Sequence, residues 1–206
     1  MSSTPQSVQD DLAFMRSVVQ SGDGIQIYFG SAYFAGGVCY SAQMILSAGE
    51  ALAWLPANPA WSLTVALAPT VIFLAILTAI NWRSRLEAPT GLVWRAVTAV
   101  FGCVGVANLA LIAVIGSVAL RQHSVTTWLI YPCVVFVLQG VAWLAAFALR
   151  RRVWLGLVAA GWFITAIVMA CLVQDTAYYI LSAGVGLLLF MVLPGAVTIS
   201  LARARV

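Results

Sequence analysis

The stretch Thr127–Val173, TWLIYPCVVFVLQGVAWLAAFAL-RRR-VWLGLVAAGWFITAIVMACLV, decides the fold. Two apolar runs of 23 and 21 residues are parted only by Arg150, Arg151 and Arg152. A hydrocarbon core roughly 30 Å thick takes about 20 apolar residues of helix to cross. Each run is therefore long enough to span a bilayer, and the three arginines mark a short loop at its surface.

The same pattern repeats outward from this pair. Span 1 is expected at 25–47, span 2 at 61–80, span 3 at 92–120, span 4 at 127–149, span 5 at 153–173 and span 6 at 177–201. The expected fold class is all-α, a polytopic membrane protein with six transmembrane helices preceded by a short amphipathic N-terminal helix. Residues 1–24 form a cytoplasmic tail carrying that helix, 25–201 the transmembrane domain, and 202–206 a second cytoplasmic tail. Composition agrees: only 8% of the 206 residues are charged, 63% are hydrophobic, and mean hydropathy is +1.03. Soluble domains carry about 25% charged residues, so lipid must be the main solvent.

The N-terminal helix is read from Ser7, three residues before Asp10, which resembles a capping box. Asp10 and Asp11 then fall in the first turn, where the helix dipole favours anions. Val8, Leu12, Met15 and Val19 share one apolar face. Such a helix lies along the membrane surface or packs on the bundle. Asp10, Asp11, Arg16 and Asp23 also argue against a cleavable signal peptide, since no apolar core precedes them.

Orientation follows from the arginines. With the N-terminus in the cytoplasm, Arg16, Arg83, Arg85, Arg95, Arg150, Arg151, Arg152, Arg203 and Arg205 lie inside, and only Arg121 lies outside. The formal charge of +4 thus belongs to membrane loops, and no nucleic-acid partner is expected. All basic residues are Arg and none is Lys, a bias that GC-rich codons produce. The expected location is the bacterial cytoplasmic (inner) membrane, multi-pass, with both termini cytoplasmic. Trp54, Trp61 and Trp128 mark one interface and Trp82, Trp94 and Trp154 the other, while Trp143 and Trp162 lie deeper, where helix packing must explain them.

Several chemistries lack their residues. No Asp, Glu, Lys, Arg or His lies in the middle of a span. Ion-coupled transport and proton relays usually need such groups, and intramembrane serine proteolysis needs a buried base. His123 is the sole histidine and sits in a loop, too little for a zinc or haem site. Cys39, Cys103, Cys133 and Cys171 form no CxxC pair. Buried cysteine usually acts as a small apolar residue, although a Cys133–Cys171 disulfide is an alternative. No catalytic residue, metal site or cofactor is expected.

Span 1 differs from the others. Gln26, Tyr33, Tyr40 and Ser47 recur every seven residues on one face, flanked by Gly30, Gly36, Gly37, Gln43 and Met44. Ile27, Ala35, Val38, Ala42, Ile45 and Leu46 occupy the other side. Polar and small residues should face protein, either as a close helix seam or as the wall of a ligand pocket. Asn108 in span 3 and Gln139 in span 4 are further amides at depth, and each needs a partner because an unpaired amide in hydrocarbon costs several kcal/mol. The candidate pocket or seam is therefore Gln26, Tyr33, Tyr40, Gln43, Asn108 and Gln139. Other small-residue pairs, such as Gly156 with Ala160 and Ser182 with Gly186, fit a compact bundle or a mating face for a second copy.

Pro69, Pro132 and Pro194 fall once in each even-numbered span, 63 and 62 residues apart. Three stacked hairpins would give that period. Independent kinks also would, and the differing depths of the prolines favour them.

The segment DLAFMR at 11–16, followed by FAGGVCY at 34–40, resembles small six-span integral membrane proteins of GC-rich bacteria. That resemblance covers about the first 45 residues and implies no particular activity. In length and span count the chain is also similar to the substrate-binding subunits of energy-coupling vitamin transporters, a likeness that does not establish function. The expected role is that of a non-enzymatic accessory or interaction subunit. Its partners are the lipid bilayer and either another membrane protein or further copies of itself. The alternative is binding or transport of a small neutral or apolar solute through a pocket lined by span 1.

Overall fold

The structure, a computed structural model, describes residues 23–56, 58–84 and 92–204. The amphipathic helix expected before residue 23 lies outside the described residues, as do Arg16, Arg85 and Arg205. Nearly every described residue is helical, and the described residues include no strand. The elements are α1 (Asp23–Ala51), α2 (Pro59–Ser84), α3 (Leu92–Gln122), α4 (Val125–Arg150), α5 (Val153–Cys171), α6 (Thr176–Leu187), a π-helical turn (Leu188–Val192) and α7 (Leu193–Arg203). The last three run on as one rod over Thr176–Arg203.

Five of these rods are long and apolar enough to cross a membrane: α2, α3, α4, α5 and the rod Thr176–Arg203. At 29 residues α1 is also long enough. It falls below the other five in apolarity because Gln26, Gln43 and Glu50 share it with glycines, serines and tyrosines. The reason is its position. It touches more elements than any other helix, packed against α2, α6, the π turn and α7, with a lighter contact to α3. A helix with protein on several sides needs less apolar surface than one facing mostly lipid.

Neighbouring helices succeed one another around the bundle. The rod Thr176–Arg203 lies antiparallel to α1 along its whole length, α5 packs on α6, α4 on α5, and α3 on α4. The loops are short. Ser124 caps α4, its hydroxyl accepting from Thr127 N at 3.2 Å. Arg151 closes the same helix in a left-handed conformation (φ 50°), its N–H bonding Phe147 O at 2.7 Å.

The core is aromatic. Phe29, Tyr33, Phe101 and Trp143 pack mostly edge to face at centroid distances of 4.8 to 6.3 Å. Phe136 and Trp162 form a second pair at 4.8 Å. Trp143 and Trp162 are both fully buried here, which accounts for their distance from either interface.

The three prolines are accommodated in two ways. A proline within a helix lacks the N–H that would bond four residues back and turns nearby carbonyls outward. In a membrane those carbonyls need protein partners. Three residues before Pro69, Ala66 O accepts from Gln43 Nε2 of α1 at 3.2 Å. Three residues before Pro132, Leu129 O accepts from the Tyr179 hydroxyl of α6 at 2.6 Å. Before Pro194 the helix widens instead into the π turn, where Leu193 N–H bonds Leu188 O.

Candidate functional site

α1 meets the last rod backbone to backbone. A methyl group at Gly30 would stand 3.2 Å from Gly195 O and Ile199 N. One at Gly37 would stand 2.9 Å from Val192 N, and one at Gly195 would stand 2.7 Å from Phe34 N. Gly37 meets the rod at the π turn, so the widened backbone is part of this contact. Glycine is required here because any Cβ would force the two helices apart.

This crossing sets the seven-residue stripe into the bundle. Gln26 is 2% exposed and Tyr33 6% exposed. Gln26 Nε2 donates to Thr198 O at 3.1 Å, pinning the start of α1 to α7, while Gln26 Oε1 is buried with no hydrogen-bond partner among the described residues. The Tyr33 hydroxyl accepts from Trp143 Nε1 at 2.6 Å and donates to Gln139 Oε1 at 3.3 Å. One network thus ties α1 to the middle of α4. Such a network raises rigidity when its members are satisfied.

The other residues of the candidate set sit apart from this centre. Tyr40 is half-buried and packs edge to face on Phe73 of α2 at 5.4 Å. Gln43 reaches the Ala66 carbonyl of α2, one turn before Pro69. Asn108 accepts from the Tyr131 hydroxyl at 2.8 Å, linking α3 to α4, and Tyr131 stacks on Trp128 at 5.1 Å. The structure therefore joins Tyr33 with Gln139. It places Gln26, Gln43 and Asn108 in separate interhelical contacts, and Tyr40 in a fourth.

Sequence reasoning missed the donors and acceptors that complete these pairs: Trp143, Tyr131, Tyr179 and the carbonyls of Ala66 and Leu129. The available signal was depth for Trp143, and proximity to proline for Tyr131 and the two carbonyls. Glu50, at the far end of α1, accepts from the Ser62 hydroxyl at 2.9 Å. All four cysteines are free thiols, with Cys103 and Cys171 exposed. Among the described residues no three His, Cys, Asp or Glu side chains meet as a metal site.

Concavities occur elsewhere. A groove of about 390 Å³ between α5 and α6 includes Ile164, Thr165, Tyr178 and Gly186. One of about 720 Å³ lies at the α3–α4 turn. A crevice of about 10 Å³ is bordered by Phe29, Val97, Arg150, Trp154 and Thr198, so one end of the bundle holds the starts of α1, α3 and α5 and the ends of α4 and α7.

In contrast to the seam, among the described residues α2 packs closely only on α1, and it forms no comparable contact with α3, its neighbour in the chain. Only 6% of the apolar window of α2 and 11% of that of α3 are buried, against 44% for α5. Comparison with protein-family models, curated proteins and solved structures finds no match for this chain.

Proposed function

We propose that this is a six-span membrane protein, with α1 as its first span, acting as a non-enzymatic interaction subunit. Its α2–α3 side takes up a second membrane-embedded chain, either another copy or a different protein. The observation that carries this reading is the separation of α2 from α3. Among the described residues both are apolar and nearly bare, yet two helices consecutive in the chain leave each other unpacked.

Two further features support it. The α1 stripe is occupied by protein, with the Tyr33 hydroxyl committed to Trp143 and Gln139, which favours a seam over a solute pocket. On the outward side of α3, Gly102 and Gly105 have open space where a side chain would be, and small residues let a neighbouring helix come close.

The arginines support a cytoplasmic position for both termini. Arg150 shares one end of the bundle with the starts of α1, α3 and α5, and Arg151 and Arg152 follow it directly. Arg121 closes α3 at the opposite end. Positive charge therefore gathers at the end where the described chain begins and finishes, as cytoplasmic loops do. A bacterial inner membrane belongs to the same proposal, as does membership among small six-span proteins of GC-rich bacteria.

Cys103 offers a direct test, because it is exposed between the two open glycines. A photoactivatable cross-linker attached to Cys103 of the full chain in native membranes should give a protein adduct. That adduct should vanish in Cys103→Ser and persist in Cys171→Ser. Recovery of the uncross-linked monomer alone, or an adduct that depends on Cys171, would reject the α2–α3 side as an association surface.

A further inference from the structure

The groove at the α3–α4 turn lies on the opposite half of α3 from Gly102 and Gly105. Ile112, Gly116, Ser117 and Leu120 of α3 form one side, and His123 and Trp128 contribute from the turn and α4. Gly116 opens the floor, since a methyl group there would rest 3.4 Å from the Trp128 ring. Stacking on Tyr131 holds that ring in place.

The two serine hydroxyls inside the groove are already used, and most of the lining is apolar. The Ser117 hydroxyl donates to Val114 O at 2.8 Å, and the Ser124 hydroxyl accepts from Thr127 N. The interior therefore presents hydrocarbon and suits an apolar chain better than a polar solute. A cation stands next to the lining in the chain. Arg121 is exposed, follows Leu120 of the lining directly, and makes no ion pair among the described residues. His123 takes the left-handed region (φ 48°) where α3 gives way to α4.

We propose that this groove binds one phospholipid, with an acyl chain along Gly116 and Trp128 and the phosphate at Arg121. Two observations favour a lipid over a protein helix as occupant. The groove stands at the end of two apolar helices, where tails meet headgroups, and the exposed Arg121 that directly follows the lining residue Leu120 complements a phosphate. A basic side chain near the surface contributes about 1 kcal/mol towards an anionic lipid, so the headgroup selects while the buried chain supplies most of the affinity.

The test is native mass spectrometry of the full chain in detergent, titrated with palmitoyl-oleoyl phosphatidylglycerol or phosphatidylcholine. The wild type should retain one lipid. Gly116→Leu, which fills the groove, should reduce retention of both lipids by at least roughly tenfold. Arg121→Gln should weaken the anionic lipid by about fivefold and change the zwitterionic one less. Ala113→Leu fills the same groove from a neighbouring position and serves if Gly116→Leu does not fold. Retention unchanged in the folded filling variant would overturn the proposal. So would a dimer that disappears in that variant, since it would make the groove a contact between copies.

Discussion

A methyl group added at Gly195 would meet the backbone nitrogen of Phe34 at 2.7 Å, whereas one added at Gly102 or Gly105 would meet nothing within 4 Å. The same residue does opposite things in the two regions. Along α1 and α7 it lets two backbones touch, and the helices there carry the polar stripe, the π turn and the buried tyrosine. On α3 it leaves the surface shallow and bare. The inner region is thus specified by contacts that only protein can make. The outer pair of helices is specified mainly by its apolarity, which lipid and a protein partner satisfy equally well.

The largest expected effect comes from closing the inner seam. Gly195→Leu must push Phe34 away or bend α7, and overpacking of a filled contact costs about 3 kcal/mol at the upper end of its usual range. We predict a marked loss of thermal stability in detergent, read from the unfolding midpoint. A midpoint equal to wild type would mean that the backbones do not meet as described, and the contrast with α3 would lose its basis.

Next in size is Tyr33→Phe. The ring stays, but Trp143 Nε1 loses its acceptor and Gln139 Oε1 its donor. Leaving buried polar groups unpaired costs about 1–3 kcal/mol. Tyr40→Phe should cost less, because Tyr40 is only half-buried against α2. Chemical denaturation of both variants checks the order, and a larger loss in Tyr40→Phe would invert the roles given to the two regions.

Tyr179→Phe should have a smaller effect still. It removes the donor to Leu129 O beside Pro132, where Cys133 Sγ also approaches that carbonyl at 3.6 Å. Hydrogen bonds between membrane helices contribute about 0.6 kcal/mol on average. A loss of about 1 kcal/mol in the unfolding free energy fits this, and no loss would mean that the Leu129 carbonyl is satisfied by the thiol alone.

These effects show what was legible beforehand. The spans were readable because an apolar run of bilayer length leaves few alternatives. Span 4 was expected at 127–149 and the helix runs Val125–Arg150; span 5 was expected at 153–173 and the helix ends at Cys171. Helix caps explain such differences at the ends, since Ser124 and the left-handed Arg151 are set by local bonds. The inward direction of the α1 stripe was readable from the spacing of Gln26 and Tyr33. Its partners were not, because a period of seven names a face and not the helix opposite it. The pairing of Tyr33 with Gln139 joins residues 106 apart, and no local pattern encodes that. The π turn was hidden for a related reason, since Pro194 signals a disturbed helix but not whether a side chain or a wider turn absorbs it.

The smallest effect on the isolated chain is expected at Gly105, and there the two regions separate most sharply. Glycine within a helix is less favourable than alanine by about 0.5–1 kcal/mol, and the space around Gly105 is open. Gly105→Ala should therefore leave the monomer as stable as wild type or slightly more so, the reverse of Gly195→Leu. Gly105→Leu keeps that neutrality while raising a bulky group where a second helix would approach. If α3 takes a partner, Gly105→Leu should remove the Cys103 adduct in membranes while the unfolding midpoint in detergent stays put. If the adduct survives, the openness of α3 is only room for lipid. A lowered midpoint without any change in cross-linking would instead place Gly105 inside the packed region, erasing the distinction between the two sides of the bundle.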